Sequence, residues 1–464
     1  MSRTLSIVFA ALLPLLLAVE LAYAEDVVRV RILETEGPQA IAVHAPSGDL
    51  SIYAGDFGEP ISTLGSGKRA LISQSSGQLS ILVDGVRLFA EELRIRAHPT
   101  LSIEIEQGDA TGLERVLPGE LLISSGSGDA LILENVLDVD DYVASVVSHE
   151  YGFDDLEGSK AMAVVARTYA LKQLLNPSKP LADHVGSQVY GDIRRVSDVA
   201  RQAAVETSGQ VLVHGGDLIE AVYFSSSGGH TADNDAVWNS SPLPYLRGRP
   251  DPFDRASPHR EWTSSIDRTD LLRELGRNLG FTVNGFIVGD RGPDGRVRTV
   301  EMLRTSGPRK EISSNQFRLI IAAAFGATSL RSTNFDARRE GDTYVFTGSG
   351  FGHGVGLSQY GARYLAEQGF DHREILAYYY GDVRLAEHRD GVPRDGGVRL
   401  EADRILAFAE GRSDDQRPPQ LANTMETEVD SDASDREERV TPASRPVSSP
   451  SRVSPPKPGR RIGW

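Results

Sequence analysis

Glu150 closes an apolar stretch whose spacing is helical. Val139, Tyr142, Val143, Val146 and Val147 each have a partner three or four positions away on one helical face, and Gly152 breaks the run just past the carboxylate. Asp154 and Asp155 then offer helix caps, and Ala161, Val164, Val165, Thr168 and Tyr169 share one face of a second helix. A carboxylate on a short connection between two packed helices is held rigidly and still reaches a groove, the placement a general acid needs. The plainer alternative is a glutamate that ends a helix in solvent. Two other stretches carry residue types suited to polar ligands. The run SSSGGHT at 225–231 follows a strand, and its small hydroxyls and glycines let donors approach a ligand closely, or simply make a Ser/Gly turn. The run GSGFGHGVGLSQYGA at 348–362 surrounds His353 with glycines, leaving it either as an accessible titratable group or as a structural histidine. No Lys-Ser/Thr follows and no βαβ unit encloses it, so it is not a phosphate-cradling loop.

These residues need elements to carry them. Residues 27–116 alternate with period two (VVRVRILE, AIAVHA, LSIY, RALISQ, LSILVDG, ELRIRA, LSIEIE), the pattern of short antiparallel strands. Residues 117–137 add more strand and lead into the Glu150 stretch. Helices are predicted over 161–175, 196–208, 268–280 and 317–325, and another from Leu357 to Gln368. Strands at 210–214 and 218–224 read as a hairpin about Gly215-Gly216, with further strands at 283–288, 297–304 and 344–347. The expected fold class is α+β. A small antiparallel β domain at 25–116 precedes a mixed α/β core with a groove at 117–390, which holds an α/β insertion at about 265–335. A C-terminal helix or linker follows at 391–410. The Pro-, Ser- and Arg-rich tail at 411–464 has too little apolar surface to offset ordering entropy and is expected to be disordered. Its acids cluster at 426–438 and its end is basic, the mark of a solvated tail or of a tether for anionic wall polymer.

The 464-residue chain is 40% hydrophobic and 25% charged, ordinary for a globular protein, and has room for two or three domains. Its net charge of −16 argues against nucleic acid or an anionic membrane surface as a partner. It has no cysteine, which removes disulfides, thiol catalysis and Cys-ligated zinc together. No cofactor and no metal are expected. Residues 1–24 read as a signal peptide: Arg3, an apolar run broken by Pro14, and a small-x-small cleavage site at Ala22-Tyr23-Ala24. No later stretch is long and apolar enough to span a bilayer, so the mature chain is expected in the periplasm or cell envelope.

In order, LDVDDYVASVVSHE (137–150), AMAVVARTYAL (161–171), QVYGD (188–192), AVYFSSSGGHT (221–231), GSGFGHGVGLSQYGARYLAEQG (348–369) and EILAYYYGDVRL (374–385) resemble the SpoIID/LytB family. These are the stage II sporulation protein D lytic transglycosylases and their amidase-enhancer relatives. The resemblance runs over about 115–385. It implies a lyase that cuts the β-1,4 bond between N-acetylmuramic acid and N-acetylglucosamine in peptide-free glycan strands and forms an anhydro sugar. It places Glu150 at the catalytic glutamate and implies Arg167, Tyr169, Gln188, Tyr190, Ser226, Ser227, Gly228, Gly229, His353, Gln359 and Tyr360 as substrate-binding. Some members bind zinc through a His and two Cys ahead of the Gln-Val-Tyr motif; here that loop reads PLADHVGSQVY, without the cysteines. The helix start has Asp154-Asp155 and GSKAM (158–162) in place of the family's usual Trp-Pro and Ala-Leu-Lys-Ala-Gln. The alternatives are a non-catalytic, wall-binding amidase enhancer, and a structural envelope protein that acts through its β domain.

Overall fold

The computed structural model describes residues 27–411 except 56–57, 76, 177–179, 185, 390–391 and 394–396. The stretch read as a signal peptide and the tail beyond Gly411 therefore lie outside the described residues. Helices and strands are both abundant and form several sheets, an α+β fold.

The period-two pattern of the first third becomes two antiparallel sheets. The six-stranded one runs in the order Glu114–Leu117, Leu101–Gln107, Ala40–His44, Ala70–Ser75, Gln78–Val83, Val86–Ala90. The other has seven strands, Leu181–Ala182, Val27–Ile32, Leu131–Asp138, Glu120–Ser125, Glu92–Ala97, Leu50–Ala54 and Ser62–Leu64, antiparallel except at Leu181–Ala182. Alternate residues such as Val28, Val30 and Ile32, or Leu131, Leu133 and Leu137, turn inward, and residues of both sheets share one apolar core. The strands Glu120–Ser125 and Leu131–Asp138, grouped with the α/β core in the sequence reading, are central strands of this sheet. Leu131–Asp138 pairs along its length with Val27–Ile32 and feeds directly into the first helix. The same core continues into the helices, so the β layer is the platform on which the Glu150 element stands.

That element begins with α1 (Val139–Val146), capped by the Asp138 carboxylate, which accepts from Asp140 N at 2.7 Å. It is followed by α2 (Leu156–Leu174), capped by Asp155. Helix α2 is buried on nearly every side. Its small residues, Ala161, Ala163, Ala166 and Ala170, let neighbours approach closely, among them α3 (Asp198–Glu206) with Ala200, Ala203 and Ala204. Thr168 on α2 bonds its own helix at Val164 O and receives Leu212 N at 2.9 Å, tying the helix to the strand Gln210–His214. That strand pairs antiparallel with Arg384–Arg389, so the end of the core closes against its middle.

The predicted hairpin is shorter than the sequence implies. Across the turn Gln210–His214 meets no more than Asp217–Leu218, and Tyr223–Phe224 instead lies parallel to Leu357–Ser358. The physical reason is the glycine run: a Cβ on Gly356, at φ 79°, would lie 2.0 Å from Val222 O, so only glycine lets the two segments meet.

Residues 262–348 form an inserted unit with its own core of Phe317, Phe335, Phe346, Leu271, Leu275 and Val300. It is built from two three-stranded sheets with α5 (Arg268–Leu279) and α6 (Ser314–Phe325); the five-residue helix α4 (Asn234–Trp238) precedes it. Trp262–Asp267 and Thr343–Gly348 are paired neighbours, which brings the insertion's entry and exit together. Helices α7 (Gln359–Glu367), α8 (His372–Tyr379) and α9 (Asp403–Ala409) complete the chain. No helix among the described residues is long and apolar enough to cross a membrane.

Candidate active site

Helix α1 does not stop at Val146 but widens into one π-helical turn, Val147–Tyr151, closed by Gly152 in the left-handed conformation (φ 62°). A π turn adds a residue to the helical repeat and re-aims the side chains that follow, a device frequent at functional sites. Here it carries Glu150 inward. The side chain is 7% exposed. Its Oε1 accepts from Val189 N at 2.7 Å, while Oε2 is buried without a hydrogen-bond partner. Gln359, at the start of α7, donates from Nε2 to the Glu150 carbonyl at 3.1 Å, so two distant segments fix both ends of the residue. Burial pushes the carboxyl from its ordinary 4.5 to about 7, against the pull of the Val189 N–H and the nearby Tyr223 hydroxyl. The carboxyl therefore keeps its proton up toward neutral pH, where an ordinary glutamate has lost it.

Behind Glu150 is a line of buried polar groups. The Tyr142 hydroxyl donates to Gln188 Oε1 at 3.0 Å, and Gln188 Nε2 reaches the Tyr223 hydroxyl at 3.5 Å. Tyr223 in turn neighbours the Glu150 carboxyl and favours its charged form. Because such groups are costly to leave unpaired, this line fixes the carboxyl's surroundings.

Glu150 opens onto a groove of about 880 Å³ with walls from three regions. One is the α1–α2 region, with Tyr169 and Lys172. Another is the Val222–Phe224 segment with Trp238, Leu243 and Tyr245. The third is α6 of the insertion, with Asn315 and Arg318, beside His353. Trp238, 41% exposed, is the kind of ring on which a sugar stacks. His353 is part-buried between the rings of Phe224 and Trp238 and accepts from Val355 N at 3.0 Å. Desolvation, then the charges of Arg318 and Arg296, push its pKa down to about 3, so it is a neutral imidazole at physiological pH.

Of the residues expected at the site, Glu150, Tyr169 and His353 line the groove. Gln188 and Gln359 stand directly behind Glu150. The others are turned to protein partners, and each has a physical reason. Arg167 is 0% exposed and binds Asp140 Oδ1 at 2.6 Å and the Ala204 and Gln210 carbonyls, tying α2 to α1 and α3. A buried guanidinium requires such pairing. Tyr190 donates to Asn135 Oδ1 at 2.5 Å and stacks on Tyr142 inside the core. Ser226 Oγ and Gly228 N both donate to Asp254 Oδ2 at 2.7 Å, and Gly229 N donates to Ser227 Oγ at 3.1 Å. Tyr360 sits edge-on to Phe153 and His259. Ser225, Ser226 and Ser227 are thus buried at a junction between segments, while Gly228 and His230 are half-buried and Gly229 is exposed. Ser226 and Phe351 exchange backbone hydrogen bonds at 3.0 and 2.8 Å, joining two motifs that are far apart in sequence.

Tyr223, Trp238, Tyr245, Asn315 and Arg318 escaped the sequence reading. So did Asp251 and Asp254 behind the junction, which the composition of 239–262 marks only as a Pro-, Asp- and Arg-rich connection. Asp251 is fully buried, and burial, then the Asp254 charge, raise it to about 7. Among the described residues no three His, Asp or Glu side chains gather as a metal site requires.

The family model for stage II sporulation protein matches residues 127–214, and that of a domain of unknown function matches residues 251–356. Stage II sporulation protein D of Bacillus amyloliquefaciens is 31% identical over 274 residues, 55% of this chain and 76% of that protein. The chain belongs to the SpoIID family. Stage II sporulation protein D of Bacillus subtilis is 29% identical over 279 residues, again 55% of this chain and 76% of the relative. The amidase enhancer of the same species is 28% identical over 279 residues, which make up 38% of that longer protein. Within this SpoIID chain the stage II model contains Glu150, Arg167 and Gln188, and the second model spans the inserted unit together with Asp251, Asp254 and His353.

Proposed function

We propose that this SpoIID protein is a peptidoglycan lytic transglycosylase that cuts the β-1,4 bond between N-acetylmuramic acid and N-acetylglucosamine in peptide-free glycan strands. The observation that carries the reading is one buried carboxyl on the wall of a sugar-sized groove with a pKa of about 7. A hydrolase needs two carboxyl groups, one as acid and one to activate water or form a covalent intermediate. A lytic transglycosylase needs one. Protonated Glu150 gives its proton to the leaving glycosidic oxygen as the bond to the muramoyl C1 breaks. The resulting carboxylate takes the proton of the C6 hydroxyl, whose oxygen closes on C1, so the glutamic acid is restored and no water is added. The other acid on the groove wall, Glu220, is exposed and lies 3.4 Å from Lys172, unlike the buried Glu150. The leader-like start supports the periplasm or cell envelope as the place of action.

The amidase-enhancer relative supports a second reading, in which the same groove holds glycan without cutting it and the partner is a cell-wall amidase. Digestion of purified peptide-free strands separates the two. The first reading gives fragments ending in anhydromuramic acid, one water lighter than hydrolytic products, with none from Glu150→Gln. The second gives intact strands that co-sediment with both proteins.

A further inference from the structure

One wall of the groove carries apolar surface that the folded chain leaves uncovered. Trp238, at the end of α4, and Leu319, on α6 of the insertion, are 41% and 48% exposed, and both line the groove. The two helices pack on one another, so these side chains share one wall. Large apolar groups left exposed in a concave site mark a binding surface rather than core. The Trp238 ring is nevertheless held in place. It rests on His353, ring centroids 5.0 Å apart, and that imidazole accepts from Val355 N at 3.0 Å. Helix α4 ends at Asn239, whose left-handed backbone (φ 52°) turns the chain away. Asn234 then pins the return. Its Nδ2 donates to Ser240 Oγ and Ser241 O at 2.9 and 2.8 Å, and its Oδ1 accepts from Leu243 N at 2.9 Å.

Asn315, on the first turn of α6, supplies a polar group to the same groove. Its Oδ1 accepts from Arg318 Nε and Nη2 at 3.3 and 3.2 Å, and because a guanidinium only donates, this pairing fixes which end of the amide is which. The Nδ2 group is thereby turned from Arg318 and has no acceptor among the described residues, yet it is not sealed from solvent. A fixed aromatic ring and a fixed amide donor are what an N-acetylated sugar needs, one for the C–H face of the pyranose and one for the acetamido carbonyl. We infer that Trp238 and Asn315 form a subsite for one N-acetylated sugar of the strand, with the pyranose stacked on the indole and its acetamido oxygen accepting from Asn315 Nδ2. This deepens the glycan reading, on which it rests for the identity of the polymer. It also gives the inserted unit a part in reading the substrate.

The test is a binding measurement, independent of cleavage, with full-length Glu150→Gln protein as parent. The probes are peptide-free muramoyl-glucosaminyl strands, a chitooligosaccharide, and a cello-oligosaccharide of the same length. The last keeps the β-1,4-linked rings but carries a hydroxyl in place of each acetamido group. The chitooligosaccharide should bind about fivefold or more tighter than the cello-oligosaccharide, the size of one hydrogen bond. Asn315→Asp keeps an acceptor for Arg318 and removes the donor. It should erase that preference and leave cello-oligosaccharide affinity within about twofold of the parent. Trp238→Ala should weaken all three probes by about tenfold, and Trp238→Phe by less. The ring also reports directly: sugar should change the parent's tryptophan emission, and Trp238→Phe should remove that change, since Trp262 is buried away from any ligand. Equal affinity for the chito- and cello-oligosaccharides, or an emission change that survives Trp238→Phe, would overturn the subsite. Strands that bind the parent and both sets of variants alike would overturn the subsite alone, and anhydromuramoyl products from the wild-type chain test the cutting reading separately. Strands that fail to bind the parent would overturn both.

Discussion

Glu150 is one residue asked to hold a proton and release it within a single turnover, and its setting explains how. A carboxyl with one backbone donor on Oε1 and none on Oε2, closed off from water, keeps its proton to about pH 7. Removing the acid, in Glu150→Gln, should lower the cleavage rate by ~10²–10⁴-fold while leaving glycan binding in place, since Gln still accepts from Val189 N but delivers no proton. The rate should fall as pH rises through about 7, where the acid form disappears. Tyr223 favours the charged form, so Tyr223→Phe should move this alkaline limb to higher pH; an unmoved limb would assign it to another group. The same proton is linked to stability. Because the folded carboxyl is raised from 4.5 to about 7, the folded chain binds a proton that the unfolded chain gives up between these values, and stability is lost as pH rises across that window. Glu150→Gln should therefore melt higher than the parent above pH 7 by an amount of the order of 3 kcal/mol, and the difference should vanish below pH 4.5. Equal melting at both ends would mean that the carboxyl is not desolvated.

The elements that place this residue are held together by contacts between motifs, and those contacts fix what a substitution costs. Gly356→Ala must put a Cβ into Val222 O at a positive φ, and should destabilise by about 2–4 kcal/mol by thermal melting; a loss under about 1 kcal/mol would mean that the segments separate easily. How much of this was legible in the sequence follows from the range of each signal. Periodicity gave α1, α2, the strands of the first third and most of the insertion, because each is a local pattern that burial selects. Glu150 stood out for the same reason, with Gly152 as its punctuation. The π turn left no local signal. Nor did the pairing of Tyr223–Phe224 with Leu357–Ser358, since long-range parallel partners leave no turn between them. The 225–231 run is ambiguous for the opposite reason: Ser and Gly suit a ligand loop and a Ser/Gly turn at a junction equally. Asp254, invisible in the sequence as anything but a loop acid, takes up the Ser226 hydroxyl and the Gly228 N–H. Arg167 has the residue type of a sugar donor, but its partner Asp140 lies one helix away and takes it out of the groove.

At the scale of the whole molecule, a β platform supports a helical core, that core and an inserted unit meet at one groove, and the last described helix packs against the core. Ile405 is fully buried, and Phe408 stacks on Phe253 at 6.1 Å and meets Phe370 at 5.4 Å. A chain shortened to end at Gly411 should thus cut soluble glycan at the parent rate. One that also lacks α9 should lose about 2–5 kcal/mol of stability, the usual cost of emptying such an apolar site. Slower cleavage by the first form would place part of the tail in the active fold. With no cysteine and no gathered His and carboxylate ligands among the described residues, cleavage should also survive a chelator, and restoration by zinc after its loss would reveal a metal role. The central claim, that one buried glutamate breaks the glycan bond without consuming water, is tested most directly by digesting peptide-free strands in heavy-oxygen water and weighing the new ends. The account predicts anhydromuramoyl ends with no label from solvent. New ends that carry one solvent oxygen each would contradict it, because the bond would then have been hydrolysed.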